Sequence, residues 1–90
     1  MMFEAVEFVE PHLPPGASIS QRLLGAFEVE EDAVNAARDA REAFGESEDY
    51  AWWLVRREGA QLSRWIADNR SHKEFVLDLR TGTLVEIPSG

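Results

Sequence analysis

The side chains best suited to recognition are crowded into one stretch, YAWWLVRREGAQLSRWIAD, from Tyr50 to Asp68. It holds all three tryptophans of the 90-residue chain (Trp52, Trp53, Trp65), its only tyrosine (Tyr50), and Arg56, Arg57 and Arg64. Tryptophan, tyrosine and arginine dominate the energetic centres of protein interfaces, because each joins a large contact area to a polar or charged end. The same residue types can wall a small-molecule cleft in which arginine grips an anion. The interface or ligand-binding candidates are therefore Tyr50, Trp52, Trp53, Arg64 and Trp65. Arg56 and Arg57 are neighbours on a strand, point to opposite faces and cannot form one clamp.

Catalytic chemistry has less to work with. The two histidines are His12, in the loop His12-Leu13-Pro14-Pro15-Gly16, and His72, in a turn near Asp68 and Glu74. An acid–base pair can be drawn around His72, but turn histidines are mostly solvated, and no catalytic residue is assigned. Neither histidine sits at helical ligand spacing, so no metal site is expected. The absence of cysteine excludes disulfides, thiolate nucleophiles and cysteine-based zinc sites. With no glycine-rich phosphate loop and no nucleophile elbow, no cofactor is expected either. Glu46-Ser47-Glu48-Asp49 reads as a solvated connection.

Charge narrows the partners. The net charge of −8 is carried by the first half: residues 1–49 hold twelve acids and three arginines, residues 50–90 five acids and six basic residues. That sign disfavours nucleic acid and anionic membrane, both of which need concentrated positive charge. An acidic helix can instead mimic nucleic-acid phosphates toward a basic protein, although Arg38 and Arg41 interrupt the acidic face. No apolar run is long enough to span a bilayer. The segment MMFEAVEFVE lacks the basic start of a signal peptide, so a cytoplasmic location is expected. The preference for eight arginines over one lysine fits GC-rich bacterial coding, an association only.

These side chains need a scaffold, and ninety residues allow one small domain. Val29, Ala33, Ala36, Ala37, Ala40 and Phe44 recur at steps of three and four, which predicts a helix over Glu30–Phe44. Glu30, Glu31 and Asp32 suit its N-terminal dipole and Gly45 stops it. An alanine stripe buries little area itself, so it needs a sheet with large side chains. Phe3–Glu10, Tyr50–Arg57, Gln61–Ala67, Lys73–Leu79 and Thr83–Ile87 read as strands, and Ser18–Phe27 reads as a strand in preference to a short helix. The fold expected is α+β: an antiparallel sheet of five or six strands with one amphipathic helix on one face.

Two registers follow from the turns. A two-residue turn at Glu58-Gly59 places Ala51, Trp53 and Val55 with Leu62, Arg64 and Ile66, and Tyr50, Trp52 and Leu54 with Ser63 and Trp65. A three-residue loop, Arg80–Gly82, pairs Leu79 with Thr83, Leu77 with Val85 and Phe75 with Ile87. Both faces of the tryptophan hairpin are apolar, and one helix covers only one. The second face is covered by residues 1–27 folded over it, by a second subunit or protein partner, or by a small anionic ligand. The function expected is a non-enzymatic interaction module, homodimeric or bound to a partner, with a small-anion binder as the alternative.

Overall fold

The apolar alternations and the single alanine repeat become β1 (Phe3–Glu10), β2 (Ser20–Phe27), α1 (Glu30–Phe44), β3 (Tyr50–Arg57), β4 (Ser63–Asp68), β5 (Glu74–Asp78) and β6 (Thr83–Glu86). The computed structural model describes residues 1–88. The strands form one sheet in the order β2-β1-β3-β4-β5-β6, with every neighbouring pair antiparallel. The chain is thus an α+β fold with one helix against one sheet face.

The helix starts after Val29, which is extended and makes no side-chain cap, so its three first-turn acids stabilise that end through the dipole alone. Val29 lies outside the helical turns and is 53% exposed, whereas the apolar repeat had placed it on the buried stripe. At the other end Gly45 takes φ 65°, a conformation that strains residues with a Cβ, and its amide donates to the Arg41 carbonyl. Ala33 and Ala37 are fully buried, and the helix lies across β1, β2 and β3. Small side chains let its backbone come close, and Trp53, Val55 and Trp65 fill the space below. Phe44, at the last turn, meets the Trp53 ring edge-on at 5.5 Å.

Residues 1–27 do not cover the second face. They form β1, β2 and their connection, and so widen the sheet. β1 pairs along its whole length with β3, from Phe3 opposite Arg57 to Glu10 opposite Tyr50. This ladder satisfies one backbone edge of each eight-residue strand, the other edges being paired by β2 and β4, and folding β1 back as a cover would leave it open. β2 pairs on the outer side of β1, with a register shift that places Gly25 opposite Ala5. A Cβ on Gly25 would come within 2.9 Å of the Phe27 ring, which packs against the core there.

Both hairpin registers differ from those expected. In β3–β4, Trp53 pairs with Ala67 and Val55 with Trp65, then the register shifts so that Arg56 meets Ser63. Arg64 is the extra residue of this bulge. Trp65 therefore shares the Trp53 face, not the Trp52 face. The bulge buries both indoles beneath the helix, and Arg64 reaches Glu30 on that same side. In β5–β6, Asp78 pairs with Thr83, Leu77 with Leu84, Val76 with Val85 and Phe75 with Glu86, a shift of one residue. The Asp78 carboxylate accepts the Arg80 amide at 2.8 Å, and the Gly82 amide donates to the Asp78 carbonyl at 2.7 Å. Asp78 thus begins the turn one residue early, at the cost of leaving Leu79 exposed.

Cross-strand partners share a face, so the registers define two surfaces. One carries Ala5, Glu7, Ala51, Trp53, Val55, Trp65 and Ala67 under the helix. The other carries Val6, Phe8, Tyr50, Trp52, Leu54, Ile66, Phe75, Leu77 and Leu84. Among the described residues, no helix is long and apolar enough to cross a membrane.

Candidate interaction surface

Alternation along β3 is what separates the candidates. Trp53 is 0% exposed and Trp65 1%, both on the helix face. Tyr50 and Trp52 are half-buried on the opposite face. Arg64 lies on the helix side, where its Nε and Nη2 donate to the two Glu30 carboxylate oxygens at 3.0 and 3.1 Å. Its guanidinium also lies 5.8 Å from the centre of the Phe3 ring. Burial pulls its pKa down, but the Glu30 hydrogen bond outweighs that and raises it, so its charge is held by the fold. Of the five candidates, the structure brings Tyr50 and Trp52 together on an accessible face and takes Trp53, Trp65 and Arg64 into structural roles.

Glu7 is a residue the sequence reading passed over. It is 9% exposed, accepts the Trp53 indole N–H at 2.9 Å and is bonded by Arg22 at 3.1 Å. A buried carboxylate requires such partners. The available signal was its alternation with Ala5 and Val9, which assigns a charged residue to the covered face.

On the open face the aromatics are stacked. Phe8 lies parallel to Trp52, centroids 5.2 Å apart and planes 5° from coplanar, and Tyr50 tilts against Trp52 at 5.4 Å. Val6 is fully buried even here, between its cross-strand partners Leu23 and Leu54, while Leu23 is 56% and Leu84 43% exposed. Beside the stack is an open hollow of about 320 Å³ between Trp52, Tyr50, Ile66 and Phe75, with Glu10 and Asp68 among its lining residues.

Asp68 is ordered by its neighbours. Its Oδ1 accepts the Arg70 and Ser71 amides at 3.0 and 2.8 Å and the Ser71 hydroxyl at 3.0 Å, while among the described residues Oδ2 accepts only the Tyr50 hydroxyl, at 3.3 Å. Burial works to raise its pKa, but those donors together hold the carboxyl below its ordinary value, so it is ionised. Burial, and then the Asp68 charge, push the Tyr50 phenol above its usual value of 10.0, keeping it a neutral donor. Arg70 lies over the Tyr50 ring at 5.3 Å and donates to the Glu48 carbonyl.

The two histidines differ. The His12 Nδ1 lies 2.6 Å from Asp49 and its Nε2 2.8 Å from Glu48, while its amide also donates to Asp49. This ties the proline loop to the α1–β3 connection. With a carboxylate on each ring nitrogen, the Asp49 hydrogen bond first of all raises the His12 pKa and favours the protonated ring, which latches the two segments together. His72 hydrogen-bonds to neither Asp68 nor Glu74 among the described residues. Glu74 is instead held by Arg38, with Nε–Oε2 at 3.0 Å, and by Trp65 at 3.4 Å, which joins the helix to β5. The Arg38 hydrogen bond outweighs burial and lowers the Glu74 pKa. Arg41, beside it, spends its donors on the Asp68 and Ser71 carbonyls. No group of three or more metal-ligating side chains occurs among the described residues.

Comparison with protein-family models, curated proteins and solved structures finds no match, so a functional reading must come from this geometry.

Proposed function

We propose that this chain is a non-enzymatic interaction module that dimerises through the open face of its sheet. One observation carries the proposal: the helix lies on one face, and among the described residues no second layer lies over the other, which presents the stacked aromatics Phe8, Trp52 and Tyr50. Contiguous apolar patches of several hundred Å² mark contact sites. Six strands about 4.8 Å apart and some six residues long give a face of about 25 by 20 Å. Covering it on both copies removes roughly 1,000 Å² or more, the threshold at which specific interfaces begin.

Charge supports a second copy as the occupant. Six of the twelve acids of the first half lie on or beside α1, at Glu28, Glu31, Asp32, Asp39, Glu42 and Glu46, whereas on the open face Glu4 is paired with Arg56 and Glu10 lies at the edge. Face-to-face sheets would put the two acidic helices on the outside of a four-layer sandwich. Two sheets about 10 Å apart with a helix of about 10 Å on each side keep these surfaces roughly 30 Å apart. That is several times the Debye length of about 8 Å, so their repulsion is screened. The anionic-ligand alternative has no such support, because the carboxylates of Glu10 and Asp68 border the hollow and Arg64 is held by Glu30 on the other face.

The test is sedimentation from micromolar to millimolar concentration. Trp52→Ala should weaken association by about thirtyfold, roughly 2 kcal/mol, while far-ultraviolet circular dichroism stays native. A wild-type protein that stays monomeric at millimolar concentration defeats the proposal.

A further inference from the structure

The connection between β1 and β2, residues 11–19, is an exposed loop held to the rest of the molecule at one residue. Leu13 is 64% and Ile19 51% exposed, and the Ala17 amide turns back on the Pro14 carbonyl at 3.0 Å. Among the described residues, every hydrogen bond or ion pair from this loop to another segment is made by His12. A segment with so few buried contacts opens at little cost, so the state of His12 governs it.

The His12 amide and Nδ1 both meet the Asp49 Oδ1, at 3.0 and 2.6 Å, and its Nε2 lies 2.8 Å from Glu48. The Glu48 contact bridges two walls of an open groove of about 380 Å³, lined by Glu10, Pro11, His12, Glu48, Tyr50 and Arg70. The other charged groups facing the groove are Glu10, at the end of β1, and Arg70, from the β4–β5 turn. Arg70 donates to the Glu48 carbonyl and lies over the Tyr50 ring.

This geometry depends on the proton count. Only the doubly protonated imidazole has two donors, and the neutral ring turns one nitrogen into a lone pair. A lone pair repels a carboxylate oxygen at such distances, so one contact must part. The Asp49 carboxylate is 33% exposed and also accepts the His12 amide. The Glu48 side chain is 83% exposed and bonded to nothing else among the described residues. Glu48 is the one to leave, and the remaining Nδ1–Asp49 bond loses the strength that the ring charge lent it.

We infer that His12 is a pH-operated clasp: when the ring loses a proton, Glu48 swings away, the β1–β2 connection loosens and the groove beside Tyr50 opens. The Asp49 hydrogen bond outweighs burial and raises the His12 pKa above 6.5, so the clasp is shut below that value and opens as pH rises through the raised one. This goes beyond the dimer reading and does not depend on it.

A nuclear magnetic resonance titration of the whole chain tests it. The amide order parameters of Ala17 and Ser18 should fall, and the Tyr50 ring signals should shift, with the midpoint of the His12 ring. His12→Gln should abolish that transition. Glu48→Gln should remove the loop response while His12 still titrates, because a carboxamide can accept from one ring state and donate to the other. Both substitutions are at exposed positions, and circular dichroism checks their folding. A loop that stays ordered while His12 titrates overturns the clasp, as does one that loosens equally in Glu48→Gln. Unmoved Tyr50 signals overturn the opening of the groove. The midpoint should be independent of protein concentration; one that moves with concentration ties the change to association and rejects the clasp.

Discussion

Trp53 and Trp52 are adjacent in sequence and differ in role, so Trp53 gives the sharpest test of the architecture. Trp53 is wholly buried, packs edge-on with Phe44 and donates its indole N–H to Glu7. Trp53→Ala should cost about 3–5 kcal/mol for the lost ring and its cavity. It also strips the donor from Glu7 Oε2, while Arg22 keeps Oε1, for about 1–3 kcal/mol more. A domain of this length holds only about 5–13 kcal/mol in total, so this variant should be largely unfolded. Trp53→Phe is the informative companion. It keeps an aromatic ring and loses the N–H, and should cost about 1–3 kcal/mol, read from the urea midpoint by circular dichroism. A double-mutant cycle with Glu7→Gln should give a coupling of about 0.5–3 kcal/mol. If Trp53→Phe leaves both midpoint and slope unchanged, the indole–carboxylate bond does not serve the buried charge, and the account of Glu7 is wrong.

Two further outcomes check the helix contact and the loop latch. Ala37→Leu should overpack the helix–sheet contact and cost about 1–3 kcal/mol, whereas Ala43→Leu, on the exposed helix face, should stay within about 0.5 kcal/mol; equal denaturation midpoints would reject the assigned face. The Asp49 hydrogen bond raises the His12 pKa above its ordinary 6.5, so the stability from that group is complete below about pH 6.5 and is lost as pH rises through the raised value. The His12 hydrogen bond lowers Asp49 below 3.8, so its contribution is complete above that value and is lost as pH falls through the lowered one. The latch is closed between these limits, and Asp49→Asn should bring the His12 imidazole midpoint, followed by nuclear magnetic resonance, down toward 6.5. An unmoved midpoint rules the latch out.

Periodicity along the chain was enough for the elements themselves. The alanine repeat defined α1 from Glu30 to Phe44, and the β-branched and aromatic runs defined β1 and β3 at the observed bounds. These signals are local, since each side chain's direction follows from its own backbone period. Local signals also sufficed to show that one helix cannot cover both apolar faces of the sheet, whereas the structure alone showed that residues 1–27 do not cover the second. The partners across strands were a different matter. Tyr50 to Ala67 is apolar on both faces, so no polar alternation marked which tryptophan belonged inside, and a single bulge at Arg64 moved Trp65 to the other side. Asp78 shifted the last hairpin by one residue through a side-chain bond to the Arg80 amide that no hydrophobic pattern contains. Residues 1–27 joined the sheet because pairing with β2 on one side and β3 on the other satisfies both backbone edges of β1. The exposure of Tyr50 and Trp52, the burial of Trp53 and Trp65, and the carboxylates beside the hollow thus depend on long-range register. Tertiary packing decides that register, because only there do the helix, the bulge and the ladder compete for the same side chains.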